Sequence, residues 1–220
     1  MRRFRFAYLL ASLLLVAFLR PFIAERVVGV AIVDILLFVT LIAGAFAAIE
    51  RRRQFLVVAA LATVSAGSGI VWHVTSQDLS AAVFLVVTLG FYASITWILL
   101  RRLFTGEKIT RDTLCQAFSV YLLLGVAWAL AYALLELVSP GSFTFSGGAL
   151  DDSRFDRFIG FSFVTLTTLG YGNISPETPR ADAIATLQAV VGQAYLAVVI
   201  ARLVAIQIAE HRDTRHRTRD

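Results

Sequence analysis

Long apolar runs constrain the fold of this chain more than any other feature. Runs of near-spanning length lie at 4–24, 27–49, 55–74, 79–100, 113–138 and 181–209. A helix needs about 20 predominantly apolar residues to cross the hydrocarbon core of a bilayer. The chain is 58% hydrophobic and its mean hydropathy is +0.77, which is far outside the range of soluble domains. The sequence therefore predicts an all-α membrane protein with six transmembrane helices.

The first run has two interpretations. MRRFR followed by an apolar stretch at 6–19 is also the pattern of a secretory signal peptide. No convincing small-residue cleavage site follows, so we favour a retained span. Cleavage would leave the orientation of the later runs unchanged.

The basic residues predict how the runs are oriented. With the N-terminus in the cytoplasm, fourteen Lys and Arg residues fall in inside segments and five in outside segments. Such residues accumulate on the cytoplasmic side of membrane proteins. We therefore expect a multi-pass cell-membrane protein with both termini in the cytoplasm. Because the positive charge lies in short clusters between apolar runs, it indicates a lipid bilayer as the partner and no nucleic acid.

A shorter apolar stretch, 154–168, lies on the predicted outer side between the last two runs. It is too short to span and suits a re-entrant helix, with Ser153 as its cap. The segment TTLGYGNISP, residues 167–176, follows directly. Non-helical backbone at membrane depth must be buried in protein or line a water-filled path. The segment therefore predicts a permeation pathway.

The glycines of this segment suit a path for cations. A dehydrated cation needs closely spaced oxygens, which successive backbone carbonyls supply only when they all point to one side. That arrangement requires backbone angles that Gly170 and Gly172 permit. The Thr168 hydroxyl could add a further oxygen below the carbonyls, and the negative end of the short helix dipole would favour a cation.

The sequence Thr168-Leu169-Gly170-Tyr171-Gly172 resembles the selectivity filter of potassium channels. The wider run FSFVTLTTLGYGNISP, 161–176, resembles the pore helix and filter of that family, and the likeness covers about 113–209. It implies the two-helix-plus-pore-loop superfamily of ion channels, in a form similar to small prokaryotic members of the bacterial plasma membrane. Potassium ions would bind the carbonyls of Thr168, Leu169, Gly170 and Tyr171 and the Thr168 hydroxyl. Since such a filter is a ring of four strands, the resemblance also implies a homotetramer.

Two positions depart from the family pattern. Leu169 stands where Val or Ile is commoner, and Asn173 follows GYG where Asp is usual. Val164 lies where some members place a glutamate that pairs with that aspartate, so both partners are neutral here. This is self-consistent, because a lone buried carboxylate is costly. The departures leave open a poorly selective cation channel of the same architecture. In either case we expect the filter to be supported by Thr167, Val164, Asn173 and Glu136.

Three further residues each have two interpretations. Gly192 lies where the family places a bending glycine, and it is either a gating hinge or a close-packing residue. Arg202 either anchors the inner end of the last span by reaching to the interface, or pairs with an acid before the fifth span. Glu136 resembles a family carboxylate that accepts backbone hydrogen bonds near the pore mouth, but it could also be a solvated helix end.

The predicted organisation has four parts: a four-helix N-terminal membrane domain (1–102), a cytoplasmic linker (103–112), a pore domain (113–209) and a short basic cytoplasmic tail (210–220). The pore domain comprises an outer helix (113–138), a pore helix (154–168), a filter (168–172) and an inner helix (181–209). The fourth run carries no basic residue before Arg101 and Arg102, and Asp34 in the second run has no ladder of opposite charges. We therefore predict weak or absent voltage gating.

Functions of other classes find less support in the sequence. Ser68 and His73 lie in one run but about 140° apart on a helix, so they do not share a face. The sequence contains no HExxH or GxSG motif that would indicate an intramembrane enzyme. A secondary transporter would usually show repeated halves. We expect no enzymatic activity, no cofactor besides the permeant potassium ions, and no soluble ligand-binding domain in this chain.

Overall fold

Helices make up most of the chain. The computed structural model describes residues 5–23, 52–75, 78–105, 110–146 and 154–217. Within these residues the helices are α1 (Arg5–Ile23), α2 (Arg52–Thr75), α3 (Asp78–Thr105), α4 (Arg111–Val138), α5 (Arg154–Leu166) and α6 (Pro179–Arg217). Two three-residue strands, β1 (Phe143–Phe145) and β2 (Ile174–Pro176), flank α5. The predicted helical class is thereby confirmed.

Three helical segments are long and apolar enough to cross a membrane: Asp78–Thr105, Asp112–Val138 and Pro179–Ile208. Shorter apolar segments lie at Phe6–Leu15, Val58–Gly69 and Arg157–Leu166. The predicted second span at 27–49, with Asp34, lies outside the described residues, as does the predicted cap Ser153. The number of spans therefore stays a prediction. Helix α6 continues to Arg217, so most of the predicted tail extends the inner helix.

One apolar core joins the first helices to the outer helix α4. Leu9 and Leu13 of α1, Ile95 and Leu99 of α3, and Leu123 of α4 are buried in it. Lipid tails are as apolar as leucine, so such contacts hold helices together in a bilayer by van der Waals packing. Helices α1 and α3 thus pack along the side of α4, and α2 packs against α3.

The outer helix α4 begins at a capping box. Thr113 N donates to Thr110 Oγ1 at 3.2 Å, and Thr110 N donates to Thr113 Oγ1 at 3.2 Å. Two backbone donors that a helix start leaves without partners are satisfied in this way. At the other end, Ser139 N donates to Leu135 O at 2.8 Å. The helix is therefore capped at both ends, and Glu136 lies in its last turn.

A second apolar core, rich in aromatic rings, surrounds α5, the predicted pore helix. The ring centroids of Tyr132 and Phe161 lie 5.0 Å apart, and those of Phe143 and Phe158 lie 5.1 Å apart. Strand β1 pairs antiparallel with β2, with Phe145 opposite Ile174. The chain that leaves the GYG segment is thereby tied to the turn that follows the outer helix.

Candidate functional site

The pore helix α5 ends in a Schellman motif directly before the GYG segment. Leu169 N donates to Val164 O at 2.8 Å, and Thr168 N donates to Thr165 O at 3.0 Å. These two bonds satisfy carbonyls that a helix end leaves free. The motif places Thr168 at the left-handed position where glycine is usual, with φ 59°. The helix therefore ends at Leu166, two residues before the predicted end.

Left-handed backbone recurs at every second residue of this segment. The φ angles are 59° at Thr168, 65° at Gly170 and 73° at Gly172, and those of Leu169 and Tyr171 are not positive. Glycine adopts such angles without cost, whereas a β-branched threonine there is strained. Strain of this kind persists only where the surrounding structure imposes it, and it clusters at functional sites.

The segment lies open along one side of the single chain. Leu169 is 56% exposed and Tyr171 is 72% exposed. A Cβ built on Gly170 or Gly172 would have no atom within 4 Å. The Thr168 hydroxyl donates to Thr167 O at 2.7 Å, and the Thr167 hydroxyl donates to Phe163 O at 2.7 Å. Thr167 thus ties the start of the segment to the helix below it.

The outer end of the segment is attached to the β-ribbon. Ser146 N donates to Asn173 O at 2.9 Å, while the Asn173 side chain is exposed. Glu177 N donates to Ser142 O at 2.9 Å, and the Thr144 hydroxyl donates to the Glu177 carboxylate. The segment is therefore held at both ends and open in the middle.

Glu136 is a buried carboxylate that organises the turn before β1. Its Oε1 accepts from Gly141 N at 3.0 Å, and its Oε2 accepts from Phe143 N at 3.2 Å. Only 8% of the residue is exposed, so it is not a solvated helix end. Its bonds go to the turn and to β1, and its connection to the GYG segment runs through the pairing of β1 with β2.

Gly192 is a point of close contact between the inner helix and the end of the pore helix. A Cβ at this position would lie 2.6 Å from Leu166 O and 2.9 Å from Leu166 Cδ1. The same carbonyl accepts from the Tyr121 hydroxyl at 3.3 Å. Helix α6 is continuous through Gly192. The absence of a side chain therefore lets α6 approach the base of the GYG segment.

Gln188 forms a buried polar junction that the sequence analysis did not single out. Its Nε2 donates to Ser162 O at 3.0 Å and to Ser162 Oγ at 2.7 Å, and its Oε1 accepts from the Tyr132 hydroxyl. Ser162 Oγ in turn donates to Gly125 O at 2.7 Å. The junction joins the outer, pore and inner helices. A glutamine within an apolar span was the available signal, because polar groups are costly there, but the same span also holds Gln193 and Gln207.

Arg202 connects the inner helix to the first helices. Its guanidinium carbon lies 5.5 Å from the centroid of the Phe104 ring, which belongs to the cytoplasmic-side end predicted for α3. Guanidinium groups are attracted to the faces of aromatic rings at this distance. The contact shows one neighbour of Arg202 that neither sequence interpretation named.

The oxygen atoms of this site come from the backbone and from hydroxyl groups. Among the described residues, no group of three His, Cys, Asp or Glu side chains could hold a metal ion. Carbonyl oxygens are hard ligands that suit hard cations. The arrangement is therefore suited to transient cation binding by the backbone.

Residues 120–208, from α4 to α6, match the model of a family described as ion channel. Over 90 residues the chain is 36% identical to the inward rectifier potassium channel Kirbac3.1 of Paramagnetospirillum magnetotacticum. That match covers 39% of this chain and 26% of the relative, so it spans about a quarter of the relative's length. No solved structure matches the chain. Both likenesses are to ion channels and not to enzymes, and they agree with the prediction of a channel domain at the C-terminal part of the chain.

Proposed function

We propose that the chain forms a potassium-selective channel whose filter is residues 168–172. The observation that carries the proposal is the alternation of left-handed φ at Thr168, Gly170 and Gly172. Alternating handedness turns successive peptide units back towards the same side, so that consecutive carbonyls can share one axis. A column of carbonyls replaces the hydration shell of a potassium ion.

The proposed ion ligands are the carbonyls of Thr168, Leu169, Gly170 and Tyr171, with the Thr168 hydroxyl at the inner end. The C-terminal end of α5 carries the negative end of a helix dipole directly before them, which favours a cation. Potassium as the permeant ion is supported by the TLGYG sequence and by the name of the relative that matches the chain. No cofactor other than this ion is needed by the mechanism.

The proposed assembly is a homotetramer in a bilayer, with both termini cytoplasmic and the GYG segment towards the outside. One chain supplies one strand of a filter that encloses the ion from all sides. The segment 167–173 is exposed in the single chain, and Leu187, Val190 and Leu196 leave an apolar surface on the inner helix. Identical copies of the chain would cover both surfaces. The bacterial plasma membrane is the expected location.

We further propose that the first helices do not serve as a voltage sensor. One elementary charge that crosses the whole membrane field contributes about 2.3 kcal/mol per 100 mV, so steep gating needs several mobile charges per subunit. Helix α3 carries none between Leu79 and Leu100, and Arg101 stacks on Trp97 at 4.9 Å. A conductance–voltage curve of the purified channel should be nearly flat. A steep sigmoid would contradict this part of the proposal.

A poorly selective cation channel is the second candidate. It is favoured by the exposed side chain of Asn173 and by the apolar Val164, which together provide no charged pair behind the filter. Ion flux separates the two candidates. Proteoliposomes that contain the purified chain and are loaded with potassium should accumulate a potassium tracer from outside. Proteoliposomes loaded with sodium should not accumulate a sodium tracer. Equal uptake with either ion would support the second candidate, and protein-free liposomes provide the background.

A further inference from the structure

Gln188 is buried where a polar side chain is most costly, yet each of its polar atoms has a partner. Its exposed fraction is 0%, and it lies within the span Pro179–Ile208. Three hydrogen bonds connect it to the pore helix and the outer helix through Ser162 and Tyr132. A satisfied polar network in a low-dielectric interior is rigid and directional. We call Gln188, Ser162, Tyr132 and the Gly125 carbonyl the Gln188 clamp.

The protons of the clamp have a single consistent arrangement. The Tyr132 hydroxyl donates its one proton to Gln188 Oε1, and the Ser162 hydroxyl donates its one proton to Gly125 O. The Gln188 amide nitrogen therefore faces two acceptors, Ser162 O and Ser162 Oγ. A reversed amide would place oxygen against the Ser162 carbonyl, and no proton would be left to bridge the two atoms. The clamp thus specifies both the residue type and its orientation.

The clamp is in register with the contact at Gly192. Gln188 meets Ser162, and Gly192, four residues later, meets Leu166, which is also four residues later. Four residues are about one helical turn, so two consecutive turns of the inner helix face two consecutive turns of the pore helix. Leu166 is the last residue of the pore helix, and the strained Thr168 follows two positions later. A displacement of α6 at this level would therefore reach the base of the filter directly.

We propose that Gln188 is a positioning residue that locks the inner helix to the pore helix and thereby keeps the filter conductive. The inference rests on the proposed function, which it extends from the filter to the contact that holds it. The clamp holds the outer half of the inner helix against α5, whereas on the cytoplasmic side of Gly192 the helix contacts the outer helix instead, where Tyr195 donates to Ala117 O at 2.7 Å. Loss of the clamp should let the filter leave its conducting arrangement more often without changing which ion it selects.

Single-channel recording of the full chain in planar bilayers tests this inference. Gln188→Met removes the amide but keeps the length of the side chain, and Tyr132→Phe removes one hydroxyl from an otherwise unchanged ring. Gln116→Met is the matched control, because Gln116 is also buried but donates to Leu99 O at 2.7 Å, between α3 and α4. We expect open bursts of Gln188→Met to shorten by about tenfold, which corresponds to ~1.4 kcal/mol. Gln116→Met should keep the burst length of the parent, and all three variants should keep its reversal potential.

The double variant Gln188→Met with Tyr132→Phe separates a clamp from general loosening. Within one network the second substitution should add little to the first, whereas independent effects would add. If Gln188→Met does not assemble, the burst length of Tyr132→Phe decides, since unchanged bursts would overturn the inference. A parent that passes no potassium would overturn the proposed function itself. A conducting parent whose Gln188→Met and Gln116→Met variants gate alike would overturn the clamp alone.

Discussion

The proposed pore module, which comprises α4 to α6, and the first helices, α1 to α3, are held by different kinds of contact. Among the described residues, the pore module is crossed by directional hydrogen bonds. Tyr195 donates to Ala117 O at 2.7 Å, Tyr121 to Leu166 O at 3.3 Å, and Gln188 to Ser162. Of the first helices, α1 and α3 contact α4 directly, mainly through an apolar core that includes Leu9, Leu13 and Ile95.

The difference corresponds to two different tasks. An ion filter needs oxygens at fixed positions, and hydrogen bonds fix position and direction together. Apolar surfaces hold helices side by side but tolerate sliding and substitution. The match to the ion channel family, at 120–208, includes the residues of these hydrogen bonds except Ala117, and it leaves out helices α1 to α3. We therefore expect substitutions in the pore module to have larger effects than matched substitutions in the first helices.

The largest effect is expected in the filter. Gly170 and Gly172 have φ of 65° and 73°, and a Cβ in the left-handed region costs roughly 1–2 kcal/mol per residue in each subunit of the proposed tetramer. Gly170→Ala or Gly172→Ala should abolish potassium flux while the protein still inserts in the membrane. Gly160→Ala is the control, because Gly160 is helical with no atom within 4 Å of an added Cβ. Full potassium selectivity in either filter variant would contradict the assignment.

The next effect compares two glycines of similar helical setting. An added Cβ at Gly192 would lie 2.6 Å from a backbone carbonyl, whereas one at Gly90 of α3 would meet nothing within 4 Å. Overpacking costs typically 1–3 kcal/mol, so Gly192→Ala should lower the thermal stability of the assembled protein and its open probability. Gly90→Ala should raise helix stability by roughly 1 kcal/mol. Equal melting temperatures for the two variants would remove the close-contact role of Gly192.

A smaller effect is expected at the outer mouth. Glu136→Gln keeps the shape of the side chain but has one oxygen for two backbone donors. Hydrogen bonds to charged groups are typically worth ~1.5–3 kcal/mol, so the turn at Gly141 should loosen and the protein should inactivate at a lower temperature. Glu177→Gln, at an exposed carboxylate of the same ribbon, should change the inactivation temperature less. The reverse order would show that the buried carboxylate is not the one that holds the turn.

The smallest effect is expected where the two regions meet. Arg202→Lys should be tolerated, because lysine also reaches the interface and also binds an aromatic face. Arg202→Leu should lower expression or shift gating. Phe104→Leu removes the ring contact alone and should lower the stability of the protein by about 0.5–1 kcal/mol. Open probability and protein yield measure these effects. A leucine variant identical to the parent would leave Arg202 without a special role.

The parts of the molecule that could be predicted from sequence are those whose backbone demands a residue type. The pore helix and the GYG segment belong to this class, since glycine at alternate positions indicates an unusual backbone. The conformation of Thr168 could not be predicted in this way, because β-branched residues rarely adopt a left-handed φ. Its conformation follows from the Schellman motif, which becomes visible only when Leu169 N and Val164 O are located.

Contacts between residues that are far apart in the sequence could not be predicted from it. Gln188 meets Ser162 and Tyr132, which are 26 and 56 positions away, and no spacing pattern connects the three. At Gly192, the sequence supports a hinge and close packing equally, and the close approach to Leu166 O could not be read from it. For Glu136, the choice between a solvated end and a buried acceptor depended on where the turn at Gly141 folds back.

The central claim, that residues 168–172 form a potassium filter, is tested most directly by ion substitution. Purified full chain would be placed in a planar bilayer with potassium on one side and sodium on the other, and a voltage ramp would give the reversal potential. Because a carbonyl-lined filter replaces the hydration shell of potassium, we expect potassium to carry the current. The reversal potential should then lie far from zero, with the sign that opposes potassium flow from the potassium side. A reversal potential near zero, or a membrane that carries no current, would contradict the claim.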